Sequence, residues 1–337
     1  MVYALPQAAE KIETIYYTLK RALVIGVGGQ DGAYIADLLL QQGYEVFGTS
    51  RDADAASFRN LDILGIRNRV QLHSLNLIDF RSTLQALKKI KPDEIYNLSG
   101  QSSVGLSFEQ PVETLESIRI GTLNLLESIR FMDAPVKMYN AGSSECFGDI
   151  GNTPATEDTP FRPRSPYAVA KAAAFWKVAN YREAYQLFAC TGILFNHESP
   201  LRPPRFVTRK IISTAVRIQQ GSKEKLRLGN IDIERDWGWA PEYVNAMWRM
   251  LQQEQPGDYV ICTGVTHSLK YFIEYTFQQL GLNYEDHLEI DSQLFRPNEL
   301  KIGRGNPEKA ARILGWKAAV SLEGVIENMI AFELNKQ

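Results

Sequence analysis

The feature that most constrains the fold of this chain is a short apolar run that breaks into closely spaced glycines and then continues with helical periodicity. The run begins at Arg21, and the periodic segment covers residues 33–42. Between them the spacing G-x-x-G-x-x-G is made by Gly26, Gly29 and Gly32. Missing side chains at this spacing let backbone amides and the positive end of a helix approach a pyrophosphate. We therefore predict a strand, a glycine-rich turn and a helix that together bind a dinucleotide.

Strand-like and helical segments continue to alternate beyond this unit. Predicted strands cover 45–50, 70–74, 93–97, 136–140 and 189–195, and predicted helices cover 80–90, 112–130 and 167–185. After Pro200 the pattern loosens into short strands and the predicted helices 208–219, 242–253 and 268–280. Repeated βα units indicate a parallel, doubly wound sheet that binds its ligands beyond the C-terminal ends of its strands.

The fold class that follows is α/β, with a Rossmann-like doubly wound parallel sheet and a smaller, irregular C-terminal substrate domain. We expect residues 21–195 to form the main part of the dinucleotide-binding domain. Residues 196–337 form mainly the substrate domain, with some segments returning to the first. Residues 1–20 are predicted to be a partly helical, partly disordered leader.

The end of the second strand bears on which dinucleotide binds. Arg51 follows that strand and suits a ribose 2′-phosphate, which favours NADP. Asp52 comes next and would accept from the free 2′-hydroxyl of NAD. The sequence therefore predicts NADP and leaves NAD possible.

Composition excludes several classes of function. A net charge of −2 gives no reason to expect nucleic acid as a partner, and no run approaches the roughly 18 apolar residues of a membrane span. Three widely spaced cysteines and four scattered histidines suggest neither a disulfide framework nor a metal site. We expect a cytoplasmic protein without a metal.

Five side chains have the chemistry of a catalytic group. Tyr167 and Lys171 are four apart on a predicted helix, so they share one face, and an ammonium there would favour the tyrosinate and lower its pKa toward neutrality. Ser143, Ser144 and Glu145 follow a predicted strand. In an extended strand end residues i and i+2 point to the same side, so the Ser143 hydroxyl and the Glu145 carboxylate are expected to face one ligand.

Taken together, these motifs resemble a known family. The chain is similar to the extended short-chain dehydrogenase/reductases and, among them, closely to the GDP-mannose 4,6-dehydratases. The resemblance runs nearly end to end and excludes clearly only residues 1–20 and the loop 52–60. It is carried by the segments 26–32, 96–105, 108–111, 143–145, 163–171, 192–200, 206–210, 228–238, 246–248, 295–299, 305–307 and 314–317.

The resemblance implies a hydro-lyase that carries out an internal redox reaction on a GDP-sugar. Tyr167 would take the proton of the sugar 4-hydroxyl, Ser143 would polarise that oxygen, and Lys171 would hold the nicotinamide ribose. Glu145 would then remove the C5 proton made acidic by the 4-keto group. Water would leave C6 with Glu145 or Ser144 assisting, and the hydride stored on the cofactor would return to C6.

The resemblance also implies binding residues and a homo-oligomer. To the glycines and Arg51 it adds as cofactor-binding residues Gln30, Asp31, Asn76, Leu77, Tyr167, Lys171 and His197. For the GDP part of the substrate it implies Asn196, Lys210, Arg235, Arg296 and Glu299. Arg202 and Arg209 are equally well explained as surface or interface charges. A homodimer or homotetramer is expected, built through helices near 112–130 and 167–185.

Departures from the family pattern leave alternatives open. Ser143 stands where the family usually has Thr, which keeps the hydroxyl, and Asn76 stands where it has a carboxylate. Residues 98–100, 103 and 141–142 are smaller than or different from those usual in the family, so the same reaction on GDP-N-acetylglucosamine is an alternative to GDP-mannose. A nucleotide-sugar reductase or epimerase, and a non-catalytic NADP-binding sensor, are the further hypotheses.

Overall fold

The computed structural model describes residues 19–132 and 134–335. At its centre lies a seven-stranded parallel sheet. Its strands are β1 (Arg21–Ile25), β2 (Glu45–Ser50), β3 (Gln71–Ser74), β4 (Glu94–Asn97), β5 (Lys137–Ala141), β6 (Ala189–Leu194) and β11 (Asp258–Ile261). Across the sheet they lie in the order β11-β6-β5-β4-β1-β2-β3. The predicted doubly wound parallel sheet is confirmed. The leader predicted for residues 1–20 lies almost wholly outside the described residues.

Helices cover both faces of this sheet. They are α1 (Gln30–Gln41), α2 (Arg59–Ile63), α3 (Phe80–Ile90), α4 (Val104–Glu109), α5 (Pro111–Leu115), α6 (Gly121–Arg130), α7 (Pro166–Tyr185) and α9 (Ala240–Leu251). On one face α1 and α9 bury one apolar cluster against the sheet. On the other face α3 and α6 bury a second. Since β1 is covered on both sides, Ala22–Ile25 is a continuous apolar run with no polar alternation.

A smaller body is built from the C-terminal part of the chain. Three two-stranded pairs form there, from β7 (Asn196–Glu198), β8 (Leu226–Leu228), β9 (Glu234–Arg235), β10 (Trp237–Trp239), β12 (His267–Ser268) and β13 (Leu288–Ile290). A third apolar cluster packs them against α8 (Val207–Gln219), α10 (Leu269–Gln279) and α11 (Leu322–Leu334). Only Phe195 separates β6 of the large sheet from β7, so one extended segment runs from the first body into the second.

One predicted helix differs in structure from its prediction. Residues 112–130 were expected to form a single uninterrupted helix, but α5 and α6 are joined through a π turn at Glu116–Ile120, where the Gly121 amide donates to the carbonyl of Glu116. A π turn holds one residue more than an α turn, so the side chains after it are rotated relative to those before it. Hydrophobic periodicity identified the helix but not this change of register.

Candidate active site

The glycine-rich turn leaves the N-terminus of α1 open. Gly26 has φ +86°, in the left-handed region that favours glycine. A Cβ on Gly32 would lie 2.7 Å from the Cα of Val27 and nearer still to the carbonyl oxygen of Gly26. Among the described residues no side chain caps α1 at Gly29. The first-turn amides therefore have no intrahelical partner, and the turn fits the pyrophosphate of a dinucleotide.

A cavity of 410 Å³ opens beyond the C-terminal ends of three neighbouring strands of the sheet. One side of it is lined by residues 98–100 and 102–105 after β4, 141–145 from the end of β5 onward and 194–198 from the end of β6 onward. Residues of the smaller body line the other, among them Phe206, Trp237 and Leu294. This is the position at which a doubly wound sheet binds its ligands.

Tyr167, Lys171 and Ser143 meet at the floor of this cavity. Tyr167 lies in the first turn of α7, which begins at Pro166 and is capped by the Ser165 hydroxyl accepting from the Ala168 amide at 3.1 Å. The Ser143 hydroxyl is near enough to the Tyr167 phenol to lower its pKa. One turn along the helix, the Nζ atom of Lys171 lies 5.8 Å from the centre of the Tyr167 ring and donates to the Ala141 carbonyl at 2.7 Å.

The predicted lowering of the Tyr167 pKa toward neutrality is not seen in the protein alone, because burial has the larger effect. Burial raises the pKa of the Tyr167 phenol, and the neighbouring Ser143 hydroxyl offsets only part of this effect. Burial also lowers the pKa of the Lys171 ammonium, to about 8. Both groups lie in a water-poor site that disfavours charge, and the ammonium is turned toward a backbone carbonyl. The phenol is therefore protonated near neutral pH.

Glu145 reaches the cavity from a turn. Strand β5 ends at Ala141, and Ser144–Phe147 form a single 3₁₀ turn capped by the Ser143 hydroxyl, which accepts from the Glu145 amide at 3.3 Å. The predicted extended geometry of Ser143 and Glu145 is therefore wrong, although both line the cavity together with Ser144. Burial raises the pKa of the Glu145 carboxyl, against the opposing influence of Arg235 and Arg296. A carboxyl of this kind is suited to proton transfer.

Cationic side chains form the opposite wall. Arg235 and Arg296 each bind the Oε1 atom of Glu299, both at 3.1 Å, so one carboxylate aligns two guanidinium groups. Lys210 also lines the cavity, and its Nζ atom donates to the Arg227 carbonyl at 2.6 Å. Asn196, on β7, lines the same cavity. Guanidinium groups held in this way match the oxygens of a diphosphate.

A buried ion pair joins the two bodies beneath the cavity. The Nε2 atom of His197 on β7 lies 2.9 Å from the Oδ2 atom of Asp31 in the first turn of α1. Burial opposes the charge on Asp31, but His197 lowers the pKa of that carboxyl to about 2. Burial likewise opposes protonation of His197, yet Asp31 raises the pKa of its imidazole. The Gln30 amide donates to the His197 carbonyl at 3.2 Å and completes the link.

The family model described as GDP-mannose 4,6 dehydratase matches residues 23–329 of the chain. This chain belongs to the GDP-mannose 4,6-dehydratase family. A relative named GDP-mannose 4,6 dehydratase 1, from Arabidopsis thaliana, is 47% identical over 325 residues, which cover 94% of this chain and 90% of the plant protein. A GDP-mannose 4,6-dehydratase from Vibrio cholerae is 42% identical over 94% of each chain.

Solved structures agree on the fold. A dTDP-glucose 4,6-dehydratase from Streptomyces venezuelae, with NAD bound, has a TM-score of 0.84 and 21% identity over 94% of this chain and 97% of its own. At this sequence identity the likeness shows only that the two proteins share a fold. The predicted α/β, Rossmann-like class and the predicted family are both confirmed.

The cavity of this family member gathers most of the predicted site residues. Those that line it are Asp31, Ser143, Ser144, Glu145, Tyr167, Lys171, Asn196, His197, Lys210, Arg235, Arg296 and Glu299. Arg51 lies outside it with an exposed side chain that pairs with Glu113 at 3.2 Å. The Asn76 side chain accepts from the Ile78 amide at 3.3 Å, and the Leu77 carbonyl accepts from Asn124 at 2.8 Å. The binding roles of these residues remain predictions.

Sequence reasoning missed part of the dehydratase cavity. Arg205, Phe206 and Trp237 line it, and Arg202, which had been left undecided, lines it with its guanidinium 3.9 Å above the Phe206 ring. A signal was present in the pair Pro203-Pro204, which fixes a turn beside the predicted substrate residues. Arg209, in contrast, is buried and forms an ion pair with Glu333 on α11. Arg209 therefore stabilises the packing of α8 against α11 and does not line the cavity.

Residues 19–132 and 134–335 contain neither a membrane-spanning helix nor a cluster of metal-binding side chains. Within these ranges no helix is long and apolar enough to cross a membrane. The same ranges contain no group of three or more His, Cys, Asp or Glu side chains arranged to hold a metal ion.

Proposed function

We propose that this protein is a GDP-mannose 4,6-dehydratase, which converts GDP-mannose to GDP-4-keto-6-deoxymannose with loss of one water. The observation that carries the proposal is that a Ser143–Tyr167–Lys171 group and the Glu145 carboxyl line one cavity opposite the cationic wall. Oxidation at C4 needs the first group, and elimination across C5 and C6 needs the carboxylate. The curated relatives carry the same activity in their names.

A nicotinamide dinucleotide is the cofactor in this proposal, held at its pyrophosphate by the turn at Gly26, Gly29 and Gly32. When bound, it supplies the acceptor of a hydride from C4 and the donor of that hydride to C6. We propose NADP because the exposed Arg51 guanidinium is available to a 2′-phosphate once it exchanges its surface partner Glu113. NAD remains the alternative that Asp52 would serve.

The first half of the reaction uses the floor of the cavity. Ser143 donates to the sugar 4-oxygen while Tyr167 takes its proton as that oxygen becomes a carbonyl. Because burial keeps the free phenol protonated, its ionised form has to be produced in the complex with ligands. The Lys171 ammonium, 5.8 Å from the ring centre, is the charge that stabilises it there.

The second half uses the 3₁₀ turn. The 4-keto group acidifies the C5 proton, and the ionised Glu145 removes it. Water then leaves C6 with a proton from Glu145, or with the Ser144 hydroxyl assisting. Since burial raises the pKa of Glu145, the carboxyl holds and releases a proton more readily near neutral pH than an exposed one does. The diphosphate of the substrate lies against Arg235 and Arg296 in this arrangement.

The alternative sugar, N-acetylglucosamine, was suggested by small residues near the predicted site. Two of them have a packing reason. A Cβ on Gly142 would lie 2.8 Å from the Gly192 carbonyl oxygen, and a Cβ on Gly100 would lie 2.7 Å from the Cγ1 atom of Ile118. Both glycines therefore make room for protein atoms, which weakens the argument for a bulkier sugar. Ser103 still faces the cavity and keeps that alternative testable.

We also propose a homo-oligomer assembled through α5 and α7. Apolar side chains lie exposed on these helices: Val112 on α5, and Val169, Trp176 and Tyr185 on α7. Trp176 is 62% exposed in the single chain. Covering such side chains with a second copy would bury apolar surface, as the interior of a homodimer interface does. Sedimentation analysis of wild type and Trp176→Glu tests this, and an unchanged oligomer would refute it.

Domain roles and location complete the proposal. Residues 21–195 would bind mainly the cofactor and residues 196–337 mainly the sugar nucleotide, with β11 returning to the large sheet. We place the protein in the cytoplasm, where its three buried free cysteines, Cys146, Cys190 and Cys262, would stay reduced.

The deciding experiment supplies GDP-mannose and GDP-N-acetylglucosamine separately, each with catalytic NADP or NAD, and follows the sugar nucleotide by mass spectrometry. Loss of one water from GDP-mannose, without net reduction of the cofactor, is the expected result. Loss of water only from the N-acetylglucosamine compound would move the substrate assignment to that sugar. If neither compound changes while cofactor is bound, the dehydratase assignment is refuted.

A further inference from the structure

The π turn at Glu116–Ile120 sits against three segments of the candidate site at once. It lies between α5 and α6, and it contacts α7, the helix that carries Tyr167. π turns are rare, they interrupt the regular hydrogen bonding of an α-helix, and they are frequently found at functional sites. Its contacts show what it holds in place.

Ile118, from the middle of the π turn, is buried in the same apolar cluster as the candidate base. It is 3% exposed and forms a small apolar cluster with Tyr167, Ala170 and Ala174. Close packing within this cluster therefore limits the movement of the Tyr167 ring.

The same turn supports the loop that follows β4. Gly100 has φ +104° and approaches Ile118 so closely that a Cβ there would lie 2.7 Å from Cγ1. The Ser117 hydroxyl accepts from the Gln101 amide at 3.4 Å, and the Gln101 side chain donates to the Thr114 hydroxyl at 3.2 Å. Loop residues 98–100 and 102–105 line the cavity, so this loop is one of its walls.

The end of the turn contacts the predicted cofactor side. A Cβ on Gly121 would lie 3.2 Å from the Cβ of Leu77, and Asn124, one turn later, donates to the Leu77 carbonyl at 2.8 Å. Lys177 of α7 donates to the Arg119 carbonyl at 2.8 Å and ties the turn to the helix of Tyr167. In a regular α-helix each residue is rotated by about 100° from the one before it. Without the extra residue of the π turn, residues 118 and 121 could not both face the partners that they contact here.

We propose that the π turn at 116–120 is a positioning element for the reaction, with Ile118 as its central positioning residue. It fixes the Tyr167 ring and the loop 98–103 relative to each other, so that base and sugar-binding wall keep one geometry. This inference rests on the proposed dehydratase function for its kinetic consequence, but not for its structural one. A small misplacement of a reacting group lowers the rate of the chemical step more than it lowers binding.

The test compares two buried isoleucines in the full-length protein, one in the π turn and one in α6. Ile118→Ala removes side-chain atoms from the Tyr167 cluster and from the close approach to Gly100, whereas Ile129→Ala makes a similar cavity in the separate cluster between the sheet and α3. For Ile118→Ala we expect kcat on GDP-mannose to fall on the order of 10–100-fold with KM changed by less than about 3-fold. Ile129→Ala should keep kcat within about 2-fold, and Ile118→Val should recover most of the loss.

Hydrogen exchange supplies a readout that does not depend on turnover. Amides of residues 98–103 should exchange faster in Ile118→Ala than in Ile129→Ala, and the Gln101 amide should do so in Ser117→Ala, a milder change that spares the core. If wild type shows no turnover but this local exchange appears, the positioning role stands and the dehydratase assignment fails. Equal kcat and equal exchange in Ile118→Ala and Ile129→Ala would overturn the inference.

Discussion

Replacing Glu145 by glutamine separates the two halves of the proposed reaction. Glutamine keeps the shape of the side chain in the 3₁₀ turn and removes its ability to accept the C5 proton. The neighbouring cations should stay in place, because Arg235 and Arg296 are both held at 3.1 Å by Glu299. Binding of the GDP part should therefore change little, and KM should stay within about 3-fold of wild type.

The expected loss in rate follows from the role assigned to the carboxylate. General acid–base catalysis contributes about 10²–10⁴-fold, so kcat for water loss should fall by that factor, equivalent to about 3–5 kcal/mol of activation free energy. Oxidation at C4 depends on Ser143, Tyr167 and Lys171 and should survive. Reduced nicotinamide should then accumulate toward one equivalent per site, which its near-ultraviolet absorbance reports, while mass spectrometry shows no dehydrated product.

Controls make this outcome specific. Tyr167→Phe should abolish both the absorbance change and the water loss, since oxidation precedes elimination. Asp149→Asn removes an exposed carboxylate four residues from Glu145 and should leave both unchanged. The pH dependence of the wild-type enzyme is a further test. Burial raises the pKa of Glu145 above its ordinary value of 4.5, and the reaction needs the ionised carboxylate. As the pH is lowered, activity should therefore be lost already at a pH above 4.5. Full dehydratase turnover by Glu145→Gln would refute the mechanism.

Three further predictions concern stability and cofactor choice. The Asp31–His197 pair should stabilise the fold most between pH 3.8 and 6.5, because its contribution falls away as pH rises through the raised pKa of His197 or falls through the pKa of Asp31, at about 2. Urea unfolding should therefore show His197→Asn to be less stable than wild type by about 3–5 kcal/mol at pH 6, and by less at pH 9; a pH-independent difference would contradict the pair. Gly32→Ala should lower the free energy of unfolding by about 3 kcal/mol or more, since its Cβ meets backbone atoms, whereas Gly28→Ala, whose Cβ lies 3.6 Å from the Phe58 ring, should stay within about 1 kcal/mol. Equal stabilities of these two glycine variants would disprove the packing argument. Arg51→Ser should raise the KM for NADP about 10-fold and leave that for NAD unchanged, and a parallel change for both cofactors would count against NADP selection by Arg51.

The sequence predicted most where the physical cause is local. The helix 80–90 was predicted with its observed bounds because its apolar residues recur with the helical period. The structure adds the local reason for its start, since the Asp79 side chain caps it by accepting from the Ser82 amide at 3.1 Å. The glycine-rich turn was equally accessible, since spacing alone implies a close backbone approach. Cavity-lining residues were predicted through the family resemblance, which transfers positions that local patterns cannot identify.

What the sequence did not predict depends on contacts between distant segments or on burial. Asp31 and His197 are far apart in the chain, and neither flanking segment indicates that they pair. Arg209 and Glu333 pair in the same way across the smaller body. The raised pKa of Tyr167 is a property of its burial beneath the cavity, whereas spacing along α7 predicted only that Lys171 would lie near it. The π turn escaped detection because its apolar residues fit a helical period.

The return of β11 to the large sheet has a consequence for folding during translation. β6 pairs with β11 along Thr191–Leu194, but residues 195–257 are all synthesised between them. During translation β6 is therefore an edge strand with a buried, apolar sequence and unpaired backbone groups, a form that invites pairing with other chains. A protein shortened before Asp258 would keep every proposed catalytic side chain and expose this edge permanently. We expect such a shortened protein to aggregate through this strand. The C-terminal part of the chain therefore protects the edge of the large sheet, in addition to its proposed role in binding the sugar.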